Sequence, residues 1–233
     1  MSTEFSLTRH VREYHYDYVT VLPGVMSKPQ SSILVARIEQ LIDEGSVKLV
    51  DHAGMGTSVV SDAGGRYLHY IFEGSDVRRH FPELGVLYRA ILPVVAAITS
   101  QDVVLSPHQR SDVNIKCYPP GGGTLGQHFD TNGITVLLFL TTNQEAPLRM
   151  QIPRWHPVDK DSTEGRDVYA DAGSLLVMKG RGVLHGCVPT VLERKMTVVL
   201  NYYVRGDTWR HQDFDDFVYD GKKPGQAKDD QKG

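Results

Sequence analysis

The chain has little cysteine, little net charge and no long apolar run, and each shortage excludes a class of protein. Two cysteines, Cys117 and Cys187, cannot build a disulfide framework, so a cytoplasmic setting is expected rather than a secreted one. A net charge of −3 gives no electrostatic case for nucleic acid or an anionic membrane surface as partner. No stretch approaches the roughly 18 consecutive apolar residues of a membrane span. The opening MSTEFSLTRHVREYHYDY also lacks an apolar segment of signal-peptide type. Internal repeats are missing as well. The one compositionally biased block is 221–233, GKKPGQAKDDQKG, which is too polar to fold on its own.

What is present describes an ordinary globular domain: 233 residues, of which 40% are hydrophobic and 23% charged. The segment YDYVTVLPGV reads as a strand ending at Pro23-Gly24. A helix follows, with Ser31 or Ser32 as expected N-cap, an apolar stripe of Ile33, Leu34, Ile38, Leu41 and Ile42, and Gly45 as its stop. A second helix is expected over 84–99, kinked or broken by Pro93. From Val113 onward the pattern changes to short β-branched and aromatic runs: VNIKCY, ITVLLFLT, LRMQI, SLLVMK, GVLHGCV and KMTVVLNYYV. Turn residues separate them, and no helical segments intervene. A closed antiparallel sandwich or barrel is therefore favoured over a βαβ sheet. The stretch 153–170 reads as a long polar connection. The expected organisation is an N-terminal strand and helical support over 1–112, a β-barrel core over 113–220 and an unfolded tail over 221–233.

The chemistry centres on His128-Phe129-Asp130. In a strand, residues two apart point the same way, so His128 and Asp130 can reach one ion. A third ligand should come from a strand distant in sequence but adjacent in a closed barrel, and His185 in GVLHGCV is the candidate. Two imidazoles and one carboxylate form the facial set that leaves positions open on non-haem Fe(II). Arg194 lies nine residues beyond His185, at the start of another strand. A guanidinium there suits the distal carboxylate of a bidentate oxo-acid.

Together these residues resemble the Fe(II)/2-oxoglutarate-dependent dioxygenases of the double-stranded β-helix (jelly-roll) fold, especially the prolyl-4-hydroxylase-like branch. The likeness is carried by the Tyr118-Pro-Pro-Gly lead-in, His128-Phe-Asp130, His185, Arg194 and the LNYY strand, over about residues 113–205. It implies a mainly β jelly-roll barrel with N-terminal helices. It further implies Fe(II), 2-oxoglutarate and O2 as cofactor and co-substrates, with ascorbate as a stimulant. Tyr118 would hydrogen-bond the co-substrate and Arg194 would clamp its C5 carboxylate. Lys195 takes that role if the strand register differs by one. The GGGTLG segment is more glycine-rich than the corresponding turn of that branch, and Met196 stands where another branch has the serine of an Arg-x-Ser clamp. Related halogenases carry Gly or Ala in place of the carboxylate, so Asp130 favours hydroxylation, with desaturation or cyclisation open on the same ligands.

The HFDTNG stretch and the small size also resemble enzymes that oxidise free amino acids, notably basic ones. On that likeness Arg66 is a candidate carboxylate partner, while Asp112 and Asn201 are candidates for the ammonium or side chain. The plain alternatives are a solvated arginine and turn or strand-edge hydrogen-bonders. Cys187 could share the inward face with His185, as a small buried hydrophobe before a ligand. Trp155 and His156 could form a lid, and the acidic HQDFDDFVYD run could cover the barrel mouth. The expected partner is thus a small-molecule substrate, with a homodimer compatible with the edge strands. The rival readings are a peptide-directed prolyl hydroxylase, a non-catalytic jelly-roll binding protein and a zinc hydrolase.

Overall fold

The computed structural model describes residues 6–53, 66–154 and 162–207, together with 215, 216 and 219; the side chains of residues 52, 53 and 66 are not among those described. Helix α1 (Leu7–Asp17) leads into strand β1 (Val19–Leu22), then helix α2 (Lys28–Asp43) and strands β2 (Lys48–Ala53) and β3 (Arg66–Phe72). Helices α3 (Gly74–His80), α4 (Pro82–Ala90) and α5 (Leu92–Thr99) follow, and a short strand β4 (Val103–Leu105) closes the first half. The remainder is β5 (Val113–Tyr118), β6 (Ile134–Phe139), β7 (Leu148–Pro153), β8 (Thr163–Val168), β9 (Leu175–Lys179), β10 (Leu184–Cys187) and β11 (Lys195–Val204).

Two antiparallel sheets face each other. The larger runs β1-β9-β6-β11-β5-β3-β2, with β4 also paired to β11, and the smaller runs β10-β7-β8. The segment around His128 adds to the smaller sheet: His128 and His185 exchange both backbone hydrogen bonds, at 2.8 and 2.9 Å, and Cys187 N donates to Leu125 O at 3.0 Å. This is the closed antiparallel arrangement that the strand-rich second half predicts, in the double-stranded β-helix form that the family likeness implies. Strands β1 to β4, which precede residue 113, belong to the same large sheet.

Period-two alternation fixes what each strand shows to each side. In β6, Ile134, Val136 and Leu138 join the core under the helices, and in β11 so do Met196, Val198, Leu200 and Tyr202. The helices supply Tyr14, Leu34, Ile38, Leu84, Val95 and Ile98 to that layer. The opposite face of the large sheet looks into the barrel, where Leu137, Phe139, Leu176 and Met178 meet Leu148, Met150 and Ile152 of the small sheet. The α4–α5 stretch, Pro82–Thr99, is 18 residues long with mean hydropathy 1.4, enough by length and composition to cross a membrane. Its buried residues Leu84, Tyr88, Val95 and Ile98 are instead spent on the sheet.

Several expectations shift by local chemistry. The α2 cap is Ser27, not Ser31 or Ser32: Ser27 and Gln30 form a capping box and Pro29 fits the first turn, where its missing N–H costs nothing. Ser31 is buried inside the helix, and Ile33 is exposed although counted in the apolar stripe. The 84–99 helix is two, broken at Ile91, two residues before Pro93. The polar connection after Pro153 contains β8, an edge strand whose first five residues are exposed, which is why its composition does not read as a strand. Trp155, His156, Phe214, Phe217 and the 221–233 tail lie outside the described residues.

Candidate metal centre and its pocket

His128, Asp130 and His185 converge, with one ligand atom from each lying within 4.8 Å of the others. Asp130 Oδ1 is 3.3 Å from His128 Nε2, and Oδ2 is 3.4 Å from His185 Nε2. The imidazole rings are 4.5 Å apart at their centroids. Each ring is oriented through its other nitrogen: His128 Nδ1 is 2.7 Å from Gly126 O and His185 Nδ1 is 2.9 Å from Val183 O. A carbonyl can only accept, so both Nδ1 atoms carry the proton and both Nε2 lone pairs are left for a ligand. Two imidazoles that present Nε2, with a carboxylate held beside them, are the donor set a divalent metal takes.

The elements place these groups in different ways. His185 sits within β10, while His128 and Asp130 stand on an extended segment rather than on a named strand. The backbone bridge to His185 anchors His128, and Asp130 N donates to Gly180 O at 3.1 Å. Thr135 donates its hydroxyl to Asp130 Oδ2, and Asn132 Nδ2 donates to Thr135 Oγ1 at 2.9 Å, so the carboxylate is oriented by a chain of buried side chains. Two glycines permit the approach. A Cβ on Gly186 would lie 2.9 Å from Gln127 N, and one on Gly180 would lie 2.7 Å from both Asn132 O and Thr135 Oγ1.

Electrostatics agree with this geometry. Burial acts to raise the pKa of Asp130, but His185, His128 and the Thr135 hydroxyl outweigh it and hold the carboxyl well below the usual range. Burial lowers His185 to about 4, against the attraction of Asp130, so its ring is neutral at physiological pH. Burial, with Cys187 and Asp130 nearby, keeps Tyr118 a phenol well above its ordinary pKa.

The three ligands open onto a pocket inside the barrel, lined by Lys116 and Tyr118 of β5, Leu137 and Phe139 of β6, and Lys195, Thr197 and Val199 of β11, among others. The β11 register decides which cation faces inward. Lys195 shares parity with Thr197 and Val199, is 3% exposed and donates from Nζ to Ala146 O at 2.7 Å. Arg194 has the opposite parity; its guanidinium turns to the helical side, 3.7 Å from Glu39 of α2. Of the two adjacent cations, Lys195 and not Arg194 lines the pocket, where Lys116 also stands. Tyr118 lines the pocket as expected of its position, and so does Cys187, whose pKa burial raises despite Lys195 beside it.

Of the residues suggested for an amino-acid substrate, Asp112 and Asn201 are neighbours, with Asn201 N donating to Asp112 O at 2.9 Å, but neither lines the pocket. Asp112 pairs with Arg78 at 3.1 Å and accepts from Val113 N at 2.8 Å, both away from the pocket. Asn201 is tied to the turn before β5, where its Nδ2 donates to Ser111 O at 2.5 Å. Arg66 begins β3, paired with Ala53, and its side chain is outside the described set. Residues the motif reading missed are Lys116, Thr135 and the two close-packed glycines. Strand alternation could have found the first two, since Lys116 shares a face with Tyr118, and Thr135 with Leu137 and Phe139.

No protein-family model matches the chain, and no curated protein matches it by sequence. Solved structures do match in fold. AviO1 from Streptomyces viridochromogenes Tue57 has a TM-score of 0.67 at 14% identity, covering 90% of this chain and 100% of its own. SnoN, a non-haem alpha-ketoglutarate-dependent epimerase from nogalamycin biosynthesis, has a TM-score of 0.67 at 13% identity, covering 94% and 90%. A prolyl-4-hydroxylase from Pseudomonas putida has a TM-score of 0.56 at 16% identity, covering 85% and 99%. At these identities the likeness establishes the shared fold.

Proposed function

We propose that this protein is an Fe(II)- and 2-oxoglutarate-dependent oxygenase that oxidises a C–H bond of a small molecule, converting 2-oxoglutarate and O2 to succinate and CO2. The observation that carries the reading is the His128–Asp130–His185 cluster opening onto a pocket in the barrel that Lys195 also lines. Iron with 2-oxoglutarate and oxygen supplies the oxidising power for such a step. The chain's part is to bind, orient and exclude water. His128, Asp130 and His185 would hold the metal, with Thr135 fixing the carboxylate. Lys195 would take the distal carboxylate, keeping ammonium donors to spare beyond the one given to Ala146 O. Tyr118 offers a protonated phenol to the same ligand, and Leu137, Phe139 and Val199 give the pocket dry walls that strengthen those contacts.

A small molecule is put first on the HFDTNG likeness, with a peptide as the second reading. Among small molecules a free amino acid is the first to test. With Asp112 and Asn201 engaged elsewhere, Arg66 is the one suggested contact left for it. The experiment is to load the protein with Fe(II) anaerobically, add 2-oxoglutarate, and admit oxygen with a panel of free amino acids, other small metabolites and proline-rich peptides. Succinate formation stimulated by a small molecule supports the reading. Stimulation by peptides alone moves the protein to the prolyl-hydroxylase-like reading. Tightly held zinc without any succinate returns it to hydrolysis or to non-catalytic binding.

A further inference from the structure

Lys116 is the one cation in the pocket without a partner among the described residues. It stands on the inner face of β5, directly across from Thr197 of β11, and Tyr118, the next inward residue of β5, stands across from Lys195. No hydrogen bond or ion pair holds its ammonium among the described residues, whereas Lys195 is tethered to Ala146. Among the described residues the one carboxylate that acts on this ammonium is Asp130, which belongs to the metal cluster, so a ligand anion in direct contact would compensate it. Its position along the pocket says which anion. Asp130 and His185 both interact electrostatically with the Lys116 charge, whereas Lys195 enters at neither of them; Cys187 lies between the two lysines and interacts with both.

Resting on the oxygenase reading, we propose that Lys116 is a second co-substrate lysine, which takes the carboxylate next to the metal while Lys195 takes the distal one. The spacing suits this. Inward residues diagonal to each other on two paired strands, as Lys116 and Lys195 are, stand about 7–8 Å apart, within reach of long side chains. The carboxylate carbons of a five-carbon diacid, four carbon–carbon bonds apart, are separated by about 5 Å. A carboxylate entering at the metal end also meets the negative charge of Asp130, and the Lys116 cation offsets that repulsion. Burial lowers Lys116 to about 8, with Asp130 and Cys187 opposing the shift, so the ammonium form still dominates at neutral pH.

The test is binding, not turnover. The full chain is loaded with Ni(II) and titrated calorimetrically with 2-oxoglutarate and with 2-oxopentanoate, the same keto acid without the distal carboxylate. Lys116→Met is expected to weaken both ligands by the same factor, roughly ten-fold, as for loss of a charged hydrogen bond. Lys195→Met is expected to weaken 2-oxoglutarate and leave 2-oxopentanoate unchanged. If Lys116→Met leaves both affinities unchanged, or weakens the diacid alone, the assignment is overturned. Lys116→Arg, which keeps the charge, should retain most of the affinity for both. It also replaces Lys116→Met as the comparison, alongside Lys116→Gln, should the methionine variant not melt cooperatively. Wild-type protein that binds Ni(II) but neither keto acid would overturn the oxygenase reading itself, a result distinct from any effect at Lys116.

Discussion

At the scale of single residues, the three metal ligands and the pocket cation make separable contributions. His128→Ala, Asp130→Ala or His185→Ala each removes one of three donors, so metal uptake measured by elemental analysis should fall below one ion per chain and turnover should vanish. The metal-free variants should melt close to the metal-free parent, because the cluster is held by backbone contacts that these changes spare. A second comparison separates neighbours. Lys195→Met should raise the 2-oxoglutarate concentration needed for half-maximal turnover by roughly ten-fold or more. Arg194→Ala should change it less than about two-fold, since that side chain only meets Glu39 at the surface. That His128, Asp130 and His185 converge was legible in the sequence because their spacing carries information: an HxD pair and a later His in an apolar run. The cation was harder. Arg194 and Lys195 are adjacent, and only the parity set by Met196, Val198, Leu200 and Tyr202 under the helices says which one turns inward. Lys116 carries no motif at all and emerges from the pairing of β5 with β11.

At the scale of elements, the strands from Val113 onward declared themselves because each is a dense β-branched or aromatic run buried on at least one face. Strand β8 did not, because an exposed edge strand needs no apolar residues and TEGRDV has one. Helix α1 was also hidden: its sequence, LTRHVREYHYD, buries only His10 and Tyr14. The α2 start was misread by one turn, since a capping box competes with any later serine. Ser27→Ala removes that box and should cost about 1 kcal/mol in chemical denaturation, with no effect on metal binding. The link between β10 and the His128 segment is more sensitive. A methyl group on Gly186 meets Gln127 N at 2.9 Å, so Gly186→Ala must push the two histidine-bearing segments apart. Metal affinity should drop in that variant by more than global stability does, which titration and melting measured side by side would reveal.

At the scale of the whole molecule, one sheet serves two masters: its outer face packs the helices and its inner face lines the pocket. A closed antiparallel sandwich or barrel could be read from the strand pattern, because successive strands without helical segments between them have few ways to close; the jelly roll itself came from the likeness to the dioxygenases. What could not be read is where the inward side chains meet, since β5, β6 and β11 of the large sheet line the pocket together with β7 and β10 of the small one. Coupling between core and site follows from the shared strands. Leu138→Ala in the helix-facing core should cost about 2–5 kcal/mol and lower the melting temperature with and without ligands. Ligand binding should oppose such losses: with Ni(II) present, 2-oxoglutarate at a hundred times its dissociation constant should add about 2.7 kcal/mol. That increment should be much reduced in Lys195→Met at the same concentration.

The central claim is that His128, Asp130 and His185 hold an iron that 2-oxoglutarate also reaches. Anaerobic addition of 2-oxoglutarate to the Fe(II)-loaded protein, followed by visible absorption, tests it directly. The account predicts a charge-transfer band that saturates at one 2-oxoglutarate per chain, is missing in His185→Ala, and needs far more 2-oxoglutarate in Lys195→Met. Iron bound at the triad with no such band at any 2-oxoglutarate concentration would contradict it.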